Sequence, residues 1–248
     1  MSSLVEKAIV YGDKRGVTKT ELERVQAQKQ KGYYFMNIPI MGGVLSIEQM
    51  ASLAEIAIEY GNGELRLTCT QNVILPNIQE KDPVLKRLDS IGFSFQSSKL
   101  QWTSMGCASA FCGKTKSPHA KEVVKDSIEY LENNFTAEAI AEAKFRIYAS
   151  GCLNNCCANL LAEIGLRGKL SMGKEEKLEQ KYDIMLLDEC DEEPCLGRVI
   201  EKSVLAKDVK YKLKNLLVNY YKNRMAVEEL GHFCKRHTKD ELSKYFEE

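Results

Sequence analysis

Two pairs of closely spaced cysteines constrain this chain more than any other feature. Cys107 and Cys112 lie in GCASAFCGK, and Cys152 and Cys156 lie in ASGCLNNCCANLLAEIGLRG. Four thiolates delivered as two short-spaced pairs, each next to a glycine, are the ligand set of an iron–sulfur cluster or of a structural zinc ion. Two polar asparagines lie within the second pair, which argues against cysteines that merely fill an apolar core.

The spacing within the pairs favours a cluster over zinc. Zinc ribbons usually place two residues between paired cysteines, whereas this chain has four residues in the first gap and three in the second. A cubane cluster is wider than a single ion and accepts ligands from loops of unequal length. A zinc-stabilised binding module remains the alternative on spacing alone.

The amino-acid composition limits the classes of protein to which this chain can belong. The chain has 248 residues, 35 basic and 35 acidic side chains and a formal net charge of zero, so no overall field directs it to nucleic acid or to a membrane surface. No apolar run approaches the roughly 20 residues needed to span a bilayer. Nine cysteines are an odd number for a disulfide framework, and the amino terminus, MSSLVEKAIVYGDKRG, lacks an apolar signal core. We therefore expect a cytoplasmic protein with reduced thiols.

The hydrophobic pattern predicts a mixture of helices and strands. The charged segment 1–31 is expected to form a helix over Thr20 to Lys31. The run YYFMNIPI predicts a strand, Ser46 is placed to cap a helix through Tyr60, and Glu64 to Ile78 reads as a second strand. These make a β-α-β unit near residues 32 to 78. Further helices are predicted over Pro83 to Ile91, Lys121 to Asn134, Ala137 to Ala143 and Ala206 to Asn223.

Three basic residues are candidates for binding an anion. Lys144 and Arg146 alternate along a predicted strand, KFRIYAS, which runs into the second cysteine pair. Such a pair is often only a solvated strand face, but beside a cluster it supplies the positive donors that an anionic substrate needs. Arg66 is predicted to share a face with Thr68 and Thr70, and this face either lines a ligand cavity or forms the solvated side of a sheet.

The motifs, in their order along the chain, resemble those of the sirohaem-containing nitrite and sulfite reductase family. They are RLTCTQ from Arg66 to Gln71, the GCASAFC loop, KFR from Lys144 to Arg146, SGCLNNC from Ser150 to Cys156, and EIGLRG from Glu163 to Gly168. The resemblance covers about residues 30 to 225. The stretch from SGC to GLRG is its most specific part.

The resemblance implies a fold and a set of cofactor ligands. The fold class is α+β, with an N-terminal helical segment at 1–31, a ferredoxin-like half-domain (β-α-β) at 32–95, and a sirohaem- and 4Fe-4S-binding domain with C-terminal helices at 96–248. The implied 4Fe-4S cluster is held by Cys107, Cys112, Cys152 and Cys156, and the last of these also bridges to the sirohaem iron. Gln71, Lys114 and Lys116 are implied contacts of the sirohaem, although the two lysines could equally lie in a solvated loop.

The resemblance also implies an activity and partners. The expected reaction is the six-electron reduction of sulfite to sulfide, with nitrite or another small substrate as alternatives, and Arg66, Lys144 and Arg146 would neutralise the oxygens of the anion. Electrons would come from an external donor such as ferredoxin, because the chain carries no second cluster motif and no dinucleotide fingerprint. Family enzymes build the site from two copies of this unit, so a homodimer would restore that arrangement. A non-catalytic iron–sulfur or tetrapyrrole electron-transfer protein is the rival interpretation.

The chain departs from the family pattern in three places. Four residues separate the first cysteine pair where the family usually has five, and Leu153 stands where it usually has proline. Gln101-Trp102-Thr103 replaces an Arg-Asn ahead of the first cysteine, so one anion-binding charge is expected to be missing. Outside the pattern, Cys190 and Cys195 in CDEEPC could hold another metal or form a redox pair.

Overall fold

The computed structural model describes residues 25–93, 99–112, 118–173, 177–188, 195–226 and 228–247. The fold is α+β. The chain divides into two compact units, of which the first comprises residues up to 39 together with 45–97, and the second comprises 40–44 together with the rest of the chain from residue 98. The unit boundary expected between residues 95 and 96 falls within 94–98, which lies outside the described residues.

The first unit is an antiparallel sheet with two helices. Its strands are β1 (Val25–Ala27), β2 (Tyr34–Ile38), β3 (Arg66–Leu67) and β4 (Val73–Ile78), in the spatial order β1-β2-β4-β3. The helices are α1 (Ile47–Tyr60) and α2 (Lys81–Ser90). The fully buried side chains of the two central strands include Met36, Ile38, Val73 and Leu75.

The predicted cap of α1 is confirmed. The Ser46 hydroxyl accepts a hydrogen bond from the Gln49 backbone N–H, and the Gln49 side chain accepts one from the Ser46 N–H, both at 3.1 Å. This reciprocal pair satisfies two of the N–H groups that a helix start leaves without partners. The helix buries Leu53, Ile56 and Ala57, which recur at the spacing of one helical face.

Two sequence-based predictions in this unit are wrong. The sequence predicts a helix over Thr20 to Lys31, but residues 25–27 form strand β1, which pairs with β2. The strand expected from Glu64 to Ile78 is instead a hairpin of β3 and β4. The turn between them is stabilised by the Thr68 hydroxyl, which accepts the Asn72 N–H at 2.9 Å. Pairing with a neighbouring strand and side-chain caps of this kind override the local hydrophobic pattern.

The second unit is built on a mixed five-stranded sheet. Its strands, in both chain and spatial order, are β5 (Met105–Gly106), β6 (Ile147–Ser150), β7 (Ile164–Met172), β8 (Leu178–Leu186) and β9 (Arg198–Leu205). Strands β5, β6 and β7 run parallel, and β8 and β9 continue the sheet antiparallel. Parallel strands require crossover segments, and those segments carry the cysteine loops and two helices.

Helices cover one face of this sheet. They are α3 (Lys99–Thr103), α4 (Ala120–Glu132), α5 (Ala137–Ala143), α6 (Val209–Asn223), α7 (Leu230–Arg236) and α8 (Lys239–Lys244). Ile128 of α4 and Leu217 of α6 belong to one buried apolar cluster with Ile147 of β6, Leu166 of β7 and Ile184 of β8. Alternation along the strands leaves the other face for polar residues and for the second cysteine loop. Within the described ranges, no helix is both long and apolar enough to cross a membrane.

Candidate metal centre

The sheet brings the two cysteine pairs to the same edge. Cys107 follows β5 directly, and Cys152 follows β6 after one intervening glycine. The two strands are parallel neighbours, with Gly106 paired in register with Ala149. Because the carboxyl ends of parallel strands lie at one edge of a sheet, both cysteine loops leave from this edge.

Hydrogen bonds fix the first cysteine against the second loop. The N–H of Cys107 donates to the carbonyl of Ala149 at 2.9 Å, and the sulfur of Cys107 accepts the N–H of Gly151 at 3.2 Å. The Ser109 hydroxyl lies 3.4 Å from the same sulfur and accepts the N–H of Ala120, the first residue of α4, at 2.8 Å. Backbone N–H groups directed at sulfur stabilise the ligands of iron–sulfur clusters.

The glycines of the motifs are required by close packing. A Cβ on Gly106 would lie 2.6 Å from the Cα of Lys121, and one on Gly151 would lie 2.7 Å from the carbonyl oxygen of Pro118. A Cβ on Gly168 would lie 2.9 Å from the Cα of Gly151. Real Cβ atoms essentially never approach other atoms this closely, so each glycine allows one backbone to touch another. This is the physical reason for glycine in GC, SGC and GLRG.

The second cysteine loop folds back over the face of the sheet opposite the helices. The N–H of Cys157 donates to the hydroxyl of Ser150 at 3.2 Å. Further along the loop, the backbone of Asn159 packs so tightly on β7 that a Cβ on Gly165 would collide with the Asn159 carbonyl oxygen. Earlier in the loop, Cys152 is half-buried and Cys156 is exposed.

Cys157 differs from its neighbour Cys156. It is buried, and burial, followed by the nearby Cys107 and Cys156 thiols, raises the pKa of the Cys157 thiol to about 12. A buried thiol whose anion is disfavoured is a poorer metal ligand than an exposed one. Cys112 and Cys156 are exposed, so these two proposed ligands differ from Cys157 in their access to a metal.

Lys144 and Arg146 lie at the other end of β6. Lys144 adopts a left-handed conformation (φ 48°, ψ 54°) that ends helix α5, and its ammonium pairs with Glu229. The prediction that Lys144 belongs to the strand is therefore wrong. Arg146 precedes β6 and makes a two-point ion pair with Glu163, with N···O distances of 2.9 and 2.8 Å. The four residues of β6 rise by about 13 Å, so the structure does not bring these two cations to Cys152.

The surroundings of Lys144 are rich in carboxylates. It lines a cavity of about 290 Å³ together with Glu163, Asp188 and Glu229. Each of these carboxylates is ion-paired, Glu229 with Lys144, Glu163 with Arg146 and Asp188 with Arg198. Within one chain, a small oxyanion bound in this cavity would have to compete with the carboxylates for their cations.

Arg66 and Gln71 belong to the first unit. Arg66 lies on β3, is paired with Glu64 at 2.5 Å and lines a groove of about 410 Å³ whose apolar side is formed by Phe35, Ile74 and Pro76. Gln71 occupies the hairpin turn in a left-handed conformation (φ 62°), and its N–H donates to the Thr68 carbonyl at 3.2 Å.

Several predicted residues lie outside the described residues. They are Lys114, Lys116 and Cys190. Their proposed roles, including a metal or redox function for Cys190 with Cys195, therefore stay predictions.

Sequence reasoning missed a cation cluster beside the second cysteine loop. Arg167 is the register partner of Ser150, the residue that holds Cys157. Arg167 and Lys169 both bind the buried carboxylate of Asp183, with N···O distances of 3.1 and 2.5 Å. Burial alone would raise the pKa of Asp183, but hydrogen bonds from Lys169, the Ser203 N–H and Arg167 bring it below its ordinary value. The two cations were visible in GLRGK, but only the strand register places them next to the loop.

Comparison with known proteins agrees with this arrangement. Residues 26–91 match the ferredoxin-like half domain of nitrite and sulfite reductases. The ferredoxin–nitrite reductase of Synechococcus elongatus is 30% identical over 205 residues, which cover 79% of this chain and 38% of that protein. The NADPH sulfite reductase hemoprotein beta-component of Methylobacterium radiotolerans is 26% identical over 200 residues, covering 79% of this chain and 30% of that protein. The chain belongs to the nitrite and sulfite reductase family.

Solved structures show that the family fold is present. The Mycobacterium tuberculosis NirA protein superposes with a TM-score of 0.76 at 19% identity, over 88% of this chain and 40% of that one. Dissimilatory sulfite reductase I gives a TM-score of 0.60 at 11% identity, over 86% and 69%. The chain spans about a third of the length of the curated relatives it matches.

The donor set fits the iron–sulfur cluster expected of this family. Cys107, Cys112, Cys152 and Cys156 are all free thiols, and Cys107 already accepts a backbone N–H at its sulfur. In the part of the chain that the structure describes, no three histidine, cysteine or acidic side chains converge closely enough to hold an ion. The four sulfurs would therefore draw together when a cluster binds, which the exposed loop positions of Cys112 and Cys156 permit.

Proposed function

We propose that this chain is an oxidoreductase that reduces a small oxyanion, with sulfite as the leading substrate and sulfide as the product of a six-electron reduction. The observation that carries the proposal is the convergence of two cysteine loops at one edge of a parallel β-sheet. The relatives of this chain that are named nitrite reductase and sulfite reductase hemoprotein support the same chemistry. The proposed cofactors are a 4Fe-4S cluster and sirohaem.

Each group of residues would have a separate role in the proposed reaction. A 4Fe-4S cluster, when bound, supplies electrons one at a time. Cys107, Cys112, Cys152 and Cys156 would hold it, and Cys156 would also be the cysteine that contacts the sirohaem. The Gly151 N–H and the Ser109 hydroxyl would stabilise the sulfur of Cys107. Arg167 and Lys169 would supply positive charge at this edge.

Nitrite is the second candidate substrate. Six of the curated relatives are named ferredoxin–nitrite reductases, from plants and a cyanobacterium, at 27% to 30% identity. The same names support ferredoxin as the external electron donor. Competing assays with nitrite and sulfite, using reduced ferredoxin, would rank the two substrates. A cytoplasmic location is part of the proposal and can be checked by cell fractionation.

The first experiment is the visible absorption spectrum of anaerobically purified protein, with iron and acid-labile sulfide analysis. The proposal expects tetrapyrrole bands and about five irons per chain, four from the cubane and one from the macrocycle. A colourless zinc protein would exclude it. A cluster spectrum without turnover of either anion would favour the non-catalytic electron-transfer protein.

We also propose a homodimer in which Arg66, Lys144 and Arg146 of one copy face the anion bound at the cysteine loops of the other. The separation of Lys144 and Arg146 from Cys152 along β6 supports this division of the site between two copies. Light scattering on the loaded protein should give twice the mass of one chain.

Complementation between two inactive variants tests the shared site. Lys144→Met and Cys152→Ser chains should each be inactive alone, because each lacks one half of every site. Random co-assembly should recover about a quarter of wild-type activity, since half the dimers are mixed and each mixed dimer has one complete site. Mixing Lys144→Met with Arg146→Met is the matched control and should recover nothing, because every site then lacks a cation. Full activity of Lys144→Met alone would contradict the assignment.

A further inference from the structure

Tyr182 on β8 carries a buried hydroxyl without a hydrogen-bond partner. Its side chain is 0% exposed, and in the described part of the chain no donor or acceptor pairs with its oxygen. A buried hydroxyl normally has a partner, because removing it from water without one is unfavourable. An orphaned group in a well-packed core therefore points to something that binds there.

The strand register directs this tyrosine towards the cysteine edge. Tyr182 is paired in register with Gly168 of β7, and Gly168 packs against the backbone of Gly151. The space that a side chain at position 168 would need is filled by the backbone of Gly151. The N–H of Gly151 in turn bonds the sulfur of Cys107, so Tyr182, Gly168, Gly151 and Cys107 form a continuous line of contacts.

Two further observations relate the Tyr182 hydroxyl to Cys107. Cys107 packs against the same apolar core that contains Tyr182. Burial raises the pKa of the Tyr182 hydroxyl, and the negative charges of Cys107 and Glu122 raise it further. The group therefore keeps its proton throughout the neutral range and is available as a donor.

We propose that the Tyr182 hydroxyl donates a hydrogen bond to the sulfur of the metal centre at Cys107. The inference rests on the proposed function, because it supposes a cluster bound at the cysteine loops. The cysteine sulfurs of a bound cluster are hydrogen-bond acceptors, and hydrogen bonds to them help to set its reduction potential. Reduction adds negative charge, so a donor at sulfur favours the reduced form. Tyr182 is in this sense a positioning and tuning residue.

Tyr182→Phe tests the proposal because it should act in opposite directions in the two forms of the protein. In the cofactor-free chain the change removes an unpaired hydroxyl, so the melting temperature should stay the same or rise. In the loaded protein it removes a donor, so the midpoint potential of the cluster, followed by an EPR-monitored titration, should fall. Iron should also be lost faster to a ferrous chelator.

Tyr220→Phe is the matched control. Tyr220 is equally buried, but its hydroxyl donates to the carbonyl of Glu228. Its replacement should lower the melting temperature of the cofactor-free chain and leave the cluster potential unchanged.

Two results would overturn the proposal. One is a Tyr182→Phe chain that loses as much stability without cofactor as Tyr220→Phe, which would mean that the hydroxyl has a structural partner such as a buried water. The other is a loaded Tyr182→Phe protein with the wild-type potential and chelator resistance. A wild-type chain that retains neither iron nor sulfide would instead overturn the proposed function together with this inference.

Discussion

Replacing Gly165 with alanine should strongly destabilise the second unit. The new Cβ would overlap the carbonyl oxygen of Asn159, which is main chain and cannot rotate away. Adding volume to a packed site costs about 3 kcal/mol or more when the backbone has to move. The free energy of unfolding, measured by denaturant titration of the cofactor-free chain, should fall by that amount. The displaced loop should also bind less iron.

Gly197→Ala provides the matched control. Gly197 also touches the second cysteine loop, but a Cβ there would lie 3.5 Å from the Leu160 carbonyl, an ordinary contact distance. Its unfolding free energy should change by less than about 1 kcal/mol. Equal effects of the two substitutions would show that the tight packing of Asn159 on β7 is not present in solution.

Cys156→Ser should abolish binding of the two proposed cofactors. Serine has almost the same shape as cysteine, but its hydroxyl does not ionise near neutral pH and is a poor ligand for iron. We expect the tetrapyrrole bands to disappear and the iron and sulfide content to fall to a small fraction of the wild-type value. Because Cys156 is exposed, the fold of the cofactor-free chain should be unaffected, and its melting temperature should match that of the wild type.

The Cys157→Ala variant distinguishes the loss of a metal ligand from a general loss of stability. Cys157→Ala removes a buried thiol that is not proposed to bind metal, so the protein should keep its spectrum with only a modest loss of stability. Full retention of both cofactors in Cys156→Ser, or their loss in Cys157→Ala, would reverse the ligand assignment.

The sequence was most informative where a motif had a local physical cause. The cap at Ser46 and the helix from Ala137 to Ala143 follow from side-chain chemistry within a few residues. The cysteine pairs were recognisable because GC and SGC already contain the glycines that let the loops pack together. In each case the information lies close to the feature in the chain.

The sequence was misleading where pairing between distant segments of the chain determines the structure. KFRIYAS alternates like a strand, yet Lys144 takes a left-handed conformation to end a helix, and only Ile147–Ser150 pairs in the sheet. RLTCTQN contains no glycine or proline, so its turn could not be distinguished from a strand. Arg167 and Lys169 could be assigned to the cysteine edge only through the register of β6 with β7.

The two anchors of the second cysteine loop also affect how the proposed metal cluster would bind. Gly151 is held by the Cys107 sulfur and Cys157 by Ser150, so the segment 152–156 between them is closed at both ends. Short closed segments lose little conformational entropy on binding, and most of that loss has already occurred during folding. Metal affinity is therefore linked to the integrity of the sheet. A substitution that loosens β6 or β7 should reveal itself first as weakened metal binding, while the helical content of the chain is still unchanged.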